Sequence, residues 1–116
     1  MDTVSNYTET LEKTIRDLLK RQEDLIKTAF TDQLTGLGNR GGFTKSLEEI
    51  WGQGTPVTMA FIDIDNLKHC NDVFGHDEGN RYIIQVSLYL KLYIKVGEAA
   101  FRLGGDEFAV LSTIST

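Results

Sequence analysis

Apolar positions in the first thirty residues recur at helical spacing with no glycine or proline between them, so one long helix is predicted over 1–30. Val4, Leu11, Leu18 and Leu25 lie seven apart, and Thr8, Ile15, Gln22 and Ala29 fall four places after each. This is the two-position seam of a coiled coil, for which a second copy of the same helix is the simplest partner. Polar Thr8 and Gln22 weaken that seam. Leu19 and Ile26 beside it also permit an amphipathic helix folded back on its own domain.

The pattern breaks at "TDQLTGLGNRGGF" (31–43), whose four glycines mark a boundary and a loop. Phe43, Leu47, Ile50 and Trp51 then sit at helical spacing, with Gly52 and Gly54 ending the helix and Pro56 setting up an extended start. "VTMAFID" (57–63) is a short apolar run with a charged end, which predicts a central strand covered on both faces. "NLKHCNDVFGHDEGN" (66–80) reads as a short helix, a turn and the entry to a longer helix carrying Ile83, Val86, Leu90 and Ile94 on one face. The β-branched and aromatic residues of that last segment fit a strand as well. "EAAFRLGGDEFAVLST" (98–113) predicts a β-hairpin, with Gly104 and Gly105 free to take the positive φ of a two-residue turn.

Composition narrows the reading. At 116 residues and 41% hydrophobic the chain buries one modest core, so one globular unit is expected beyond the leading helix. Twelve Lys and Arg against seventeen Asp and Glu give a net charge of −5, the wrong sign for gripping phosphate backbones, and no nucleic-acid partner is expected. Cys70 alone cannot form an internal disulfide and no signal peptide is evident, so a cytoplasmic location is expected. No run reaches the roughly eighteen apolar residues of a membrane span. A parent protein working at a membrane would need another segment to anchor it.

The chemistry lies in the acids. Asp63 and Asp65 end the apolar strand, where α/β folds keep their sites. If the hairpin pairs beside that strand, Asp106 and Glu107 arrive next to Asp63. Carboxylates so gathered repel unless protons or a cation intervene. Mg²⁺ (or Mn²⁺) takes one or two carboxylates and leaves positions for water and substrate phosphates. The alternative is that Asp106 and Glu107 are solvated turn residues. Backbone N–H groups of Asn66, Leu67 and Lys68 can cup a phosphate at a helix start. Lys68 either adds charge there or is an ordinary surface lysine. His69, Cys70 and His76 lack a fourth ligand and the spacing of a zinc site, so Cys70 is expected to be a small buried hydrophobe.

Three separated stretches, "DQLTGLGNR" (32–40), "DIDNLKHCNDVFGHDEGN" (63–80) and "GGDEF" (104–108), together resemble the GGDEF family of diguanylate cyclases. The resemblance runs from about residue 30 to the end and implies a GGDEF domain over 31–116 behind a dimerising signalling helix over 1–30. It implies an α/β (α+β) fold: a palm-like central sheet, related to nucleotidyl cyclases, with surrounding helices. It implies that two domains, each holding one GTP, face each other and condense the pair into cyclic di-GMP and two pyrophosphates. By position, Asp63 and the backbone carbonyl of Ile64 resemble metal ligands, as does Asp106, which is also assigned as the base, and Glu107 would share that cluster. Lys68 matches a transition-state-stabilising lysine, while Asn71 and His76 match positions that touch the nucleotide. Gly104 and Gly105 would leave room for the substrate. A homodimer through the leading helix and an upstream sensor domain are the implied partners.

Several positions depart from the family. Asn80 stands where the family usually has an Asp facing guanine; an amide offers one acceptor and an unwanted donor in place of two acceptors and a charge, which leaves base selectivity open. Lys95 and Glu98 replace an R-x-x-D product-inhibition pair, and a lysine lacks the guanidinium fork, so weak product inhibition is expected. Family members continue past the hairpin, so the domain is expected to be incomplete at its C-terminus, with "EFAVLST" left with an unpaired edge. A catalytically inactive nucleotide-binding or dimerisation module is the alternative.

Overall fold

The computed structural model describes residues 3–113. Its elements are α1 (Thr3–Phe30), α2 (Arg40–Gly52), β1 (Thr58–Asp63), α3 (Leu67–Phe74), α4 (His76–Tyr93), β2 (Glu98–Arg102) and β3 (Glu107–Ser112).

α1 carries no buried residue, and its seam positions face water; Leu18 is 57% and Leu25 71% exposed. It does not fold back on the domain. Only its last turn is gripped. A Cβ on Gly42 would stand 2.5 Å from the Phe30 carbonyl oxygen, so α2 can approach α1 this closely only with glycine there. Asn39 caps α2 by accepting from the Gly42 N–H (2.9 Å), and its amide donates to the Ala29 carbonyl (3.0 Å). The cap starts α2 at Arg40, so Gly41 and Gly42, predicted as loop, form its first turn.

The sheet is antiparallel with order β1-β3-β2. β3, predicted to have an unpaired edge, lies in the middle and is paired on both sides. Its Phe108 and Ala109 are fully buried. β1, predicted to be central, is an edge strand among the described residues, and five of its six residues are exposed, Phe61 by 64%. Apolarity marks both strands alike; what separates them is that β1 pairs only with β3.

One face of the sheet packs on α4. Ile83 is buried with Leu37, Ile64, Leu67, Ala100 and Phe108, and Val86, Leu90 and Ile94 pack against them. The segment that fitted helix or strand is therefore a helix, held by the face predicted for it. On the other face Phe43 of α2 meets Phe61 and Phe101 edge-on, at 6.1 and 5.5 Å between ring centres. Trp51, grouped with Phe43 by spacing, is 79% exposed. Gly75, at φ +90°, ends α3 and starts α4, as the predicted turn requires.

β2 and β3 form the predicted hairpin, but not through a two-residue turn. Arg102 pairs with Phe108, the Leu103 N–H donates to the Glu107 carbonyl (2.8 Å), and neither Gly104 nor Gly105 takes a positive φ.

Candidate active site

Strand register creates the site. Asp63, last residue of β1, stands opposite Glu107, first residue of β3. One step on, the Ile64 N–H donates to the Asp106 carbonyl (2.9 Å), which draws the loop against the strand end. Side-chain oxygens of Asp63, Asp106 and Glu107 lie within 4.8 Å of one another, all exposed. Three hard oxygen donors this close fit Mg²⁺ or Mn²⁺, which needs few protein carboxylates and keeps positions for water and phosphate. Ile64, proposed from its position to lend a carbonyl, is anchored by a buried side chain. Asp65 is not part of the cluster.

Two of the acids, Asp63 and Glu107, border an open cleft of about 270 Å³ that is also lined by Arg40, Phe61, Ile62, Leu103 and Phe108. Arg40 Nη2 lies 3.6 Å from Glu107 Oε2, an ion pair between largely exposed side chains.

A second arginine holds the loop itself. Arg102 Nη1 donates to both carboxylate oxygens of Asp32 (3.2 and 3.4 Å), while its Nε and Nη2 donate to the Gly104 and Gly105 carbonyls (both 3.1 Å). Asp32 also accepts from the Thr35 N–H (2.9 Å) and hydroxyl (2.7 Å). Burial pushes the Asp32 carboxyl up, but the Thr35 bonds and the Arg102 charge outweigh it and hold the group below its ordinary 3.8. The backbone leading into Asp106 is thus fixed from the α1–α2 turn.

The remaining predicted residues lie on α3 and α4. Asn66 adopts a left-handed conformation (φ 64°) and its side chain makes no cap bond at the start of α3. Leu67 is buried in the core, so its side chain is structural. Lys68 is exposed, and among the described residues it does not line the cleft of the acids. Asn71 is half-buried against Gly79, where an added Cβ would stand 1.7 Å from Asn71 Oδ1; glycine lets the two helices meet there. His76 opens α4 and Asn80 is exposed one turn on. Gly104 is half-buried and Gly105 exposed, and an added Cβ at 105 would meet open space. Cys70 is half-buried rather than buried.

Sequence reasoning gave no role to Asp32, Arg40 or Arg102. The signal was present, because all three lie within or beside the stretches quoted above, but their partners are distant in the chain.

The chain is similar to known proteins along most of its length. The family described as diguanylate cyclase, GGDEF domain, matches residues 29–116. Diguanylate cyclase DgcP of Escherichia coli is 39% identical over 105 residues, 87% of this chain and 31% of DgcP. Cyclic di-GMP phosphodiesterase PdeB of Shewanella oneidensis is 35% identical over 98 residues, 84% of this chain and 11% of PdeB. The chain thus spans less than a third of either protein. Among solved structures, the coiled coil and GGDEF domain of DgcB from Caulobacter crescentus, in complex with c-di-GMP, superposes with a TM-score of 0.86 at 29% identity, covering 96% of this chain and 60% of that one. The helices, the small antiparallel sheet and the long leading helix match that architecture, and over residues 29–116 the chain belongs to the GGDEF family of diguanylate cyclase domains.

Proposed function

We propose that this domain, within its whole protein, condenses two GTP into cyclic di-GMP and two pyrophosphates, with a divalent cation held by Asp63, Asp106 and Glu107. The observation that carries this reading is the clustering of those three carboxylates, with Asp63 and Glu107 lining an adjoining cleft. The name of DgcP supports it. A bound Mg²⁺ or Mn²⁺ neutralises charge on the transferring phosphoryl group and lowers the pKa of the attacking hydroxyl. The chain's own groups do the rest. Asp106 accepts the 3′-hydroxyl proton, and Ile64 lends a backbone carbonyl. Lys68 faces the phosphates with the amides of Asn66 and Leu67, and His76 touches the nucleotide. Asn71 also touches the nucleotide, Asn80 meets the base, and Gly104 and Gly105 leave room for the substrate. The domain comprises 31–116, and residues 1–30 form a helix that pairs with a second copy, bringing two sites face to face. An upstream sensor domain and a cytoplasmic setting complete the reading.

Incubating a full-length protein carrying this domain with GTP and Mg²⁺, then separating products by chromatography, tests it. Turnover abolished by Asp106→Ala is the expected result; no turnover in the full-length protein refutes the reading. A second reading, a nucleotide-binding module without catalysis, is favoured by Asn80 and by the likeness to PdeB, which is named a cyclic di-GMP phosphodiesterase and not a cyclase. It requires GTP binding without product.

A further inference from the structure

Two arginines flank the loop that carries Asp106, and they are held in opposite ways. Arg102 has a side chain only 16% exposed and donates to Asp32 and two loop carbonyls, so it is locked in place. Arg40 has a side chain 67% exposed, and its ion pair among the described residues is with Glu107, at 3.6 Å, too long for a hydrogen bond. Its backbone nevertheless cannot wander. Arg40 opens α2, whose start is fixed by the Asn39 cap and by Gly42 against Phe30. An exposed guanidinium on a fixed stem is thereby set at the cleft, where among the described residues it is the one cationic residue in a lining that includes Asp63 and Glu107. Lys68, the cation expected from sequence at the phosphates, is absent from that lining.

We propose that Arg40 is the cleft's own counter-ion: in the nucleotide-free domain it rests on Glu107, a divalent cation displaces it, and the freed guanidinium then meets the triphosphate. This rests on the cyclase reading of the cleft and adds a residue to it. The charge argument is direct. A guanidinium on Glu107 competes for a ligand oxygen and repels an incoming cation, while an exposed pair of this kind is weak enough to exchange. Once released, its planar fork suits phosphate oxygens better than a lysine does.

The test is Mn²⁺ titration of the nucleotide-free chain, with free ion followed by electron paramagnetic resonance, and the same titration in the presence of GTP. Arg40→Gln should bind Mn²⁺ alone about two- to fivefold more tightly than the wild type, the range set by losing a competing exposed ion pair. It should bind Mn²⁺–GTP about tenfold more weakly through the lost charge-assisted contacts. Arg40→Lys should match the wild type for Mn²⁺ alone and fall between the two for Mn²⁺–GTP. The inference is overturned if Arg40→Gln binds Mn²⁺ alone no more tightly, or Mn²⁺–GTP no more weakly, than the wild type. Asp63→Asn separates the two levels. If it abolishes Mn²⁺ binding while Arg40→Gln is silent, only the role of Arg40 fails; if it leaves Mn²⁺ binding intact, the carboxylate site fails and Arg40 with it.

Discussion

Replacing Asp32 by alanine removes the anchor of the loop that presents Asp106. Asp32 accepts two bonds from Thr35 and two from Arg102, and both members of the ion pair are largely buried, at 16% and 19% exposure. A hydrogen bond to a charged group contributes about 1.5–3 kcal/mol, and a partly buried guanidinium left alone adds its desolvation penalty. Water entering the vacated site offsets part of this, so a net loss of about 2–3 kcal/mol is expected. Asp32→Asn keeps an acceptor for Thr35 and should cost about 1 kcal/mol. A double-mutant cycle with Arg102→Ala should give a coupling energy of about 1–2 kcal/mol at neutral pH. The pH dependence follows from the lowered Asp32 pKa: its stabilisation is complete above the unfolded value near 3.8 and is lost as pH falls through the folded value below it. The advantage of the wild type over Asp32→Asn should therefore shrink only below pH 3.8. Urea denaturation followed by far-ultraviolet circular dichroism measures all of these quantities. A coupling under about 0.3 kcal/mol at neutral pH, or a wild-type advantage that survives full protonation of Asp32, would refute the reasoning.

Gly42→Ala should destabilise the junction of α1 and α2 by about 1–3 kcal/mol, because its Cβ would meet a backbone oxygen that cannot rotate away; a lowered Tm with fraying of the last turn of α1 in hydrogen exchange checks it. Asp106→Asn removes one of three crowded charges, so it should raise the Tm of the metal-free protein while abolishing Mg²⁺-dependent turnover, which thermal melts and product chromatography separate. Asn80→Asp restores a second acceptor and a charge toward guanine, and should raise the preference for GTP over ATP in competition by about tenfold. Phe108→Ala empties a fully buried position in the central strand and should cost about 3–5 kcal/mol in denaturant unfolding.

The helices were legible because their information is local. The period of α1 survives in Leu11, Leu18 and Leu25, and the buried face of α4 is the one its spacing specifies, although Tyr89, Leu92 and Tyr93, all exposed, blur the pattern. Strand order was not legible. β1 (TMAFID) and β3 (EFAVLS) carry the same number of apolar residues, and only pairing partners distant in the chain decide that β3 is central while β1 is at the edge. The hairpin loop failed for a related reason. Two adjacent glycines predict positive φ, but Arg102 takes both of their carbonyls and shapes the loop without it.

The same division runs through the site. Asp63 and Glu107 could be paired in advance because each sits at a strand end, and antiparallel register turns adjacent ends into adjacent side chains. The cations around them could not. Asp32 and Arg102 are seventy residues apart, and nothing in the composition of either neighbourhood distinguishes a locked guanidinium from a solvated one. The difference arises only when the 31–39 turn closes, with the Asn39 N–H on the Phe30 carbonyl (3.0 Å) and the Asp32 N–H on the Leu37 carbonyl (2.7 Å). That turn sets Asp32 against Arg102 and, through the Asn39 cap, starts α2 at Arg40 beside Glu107. One short segment thus places both charges that flank the acids, which is why neither could be placed from its own neighbourhood in the sequence.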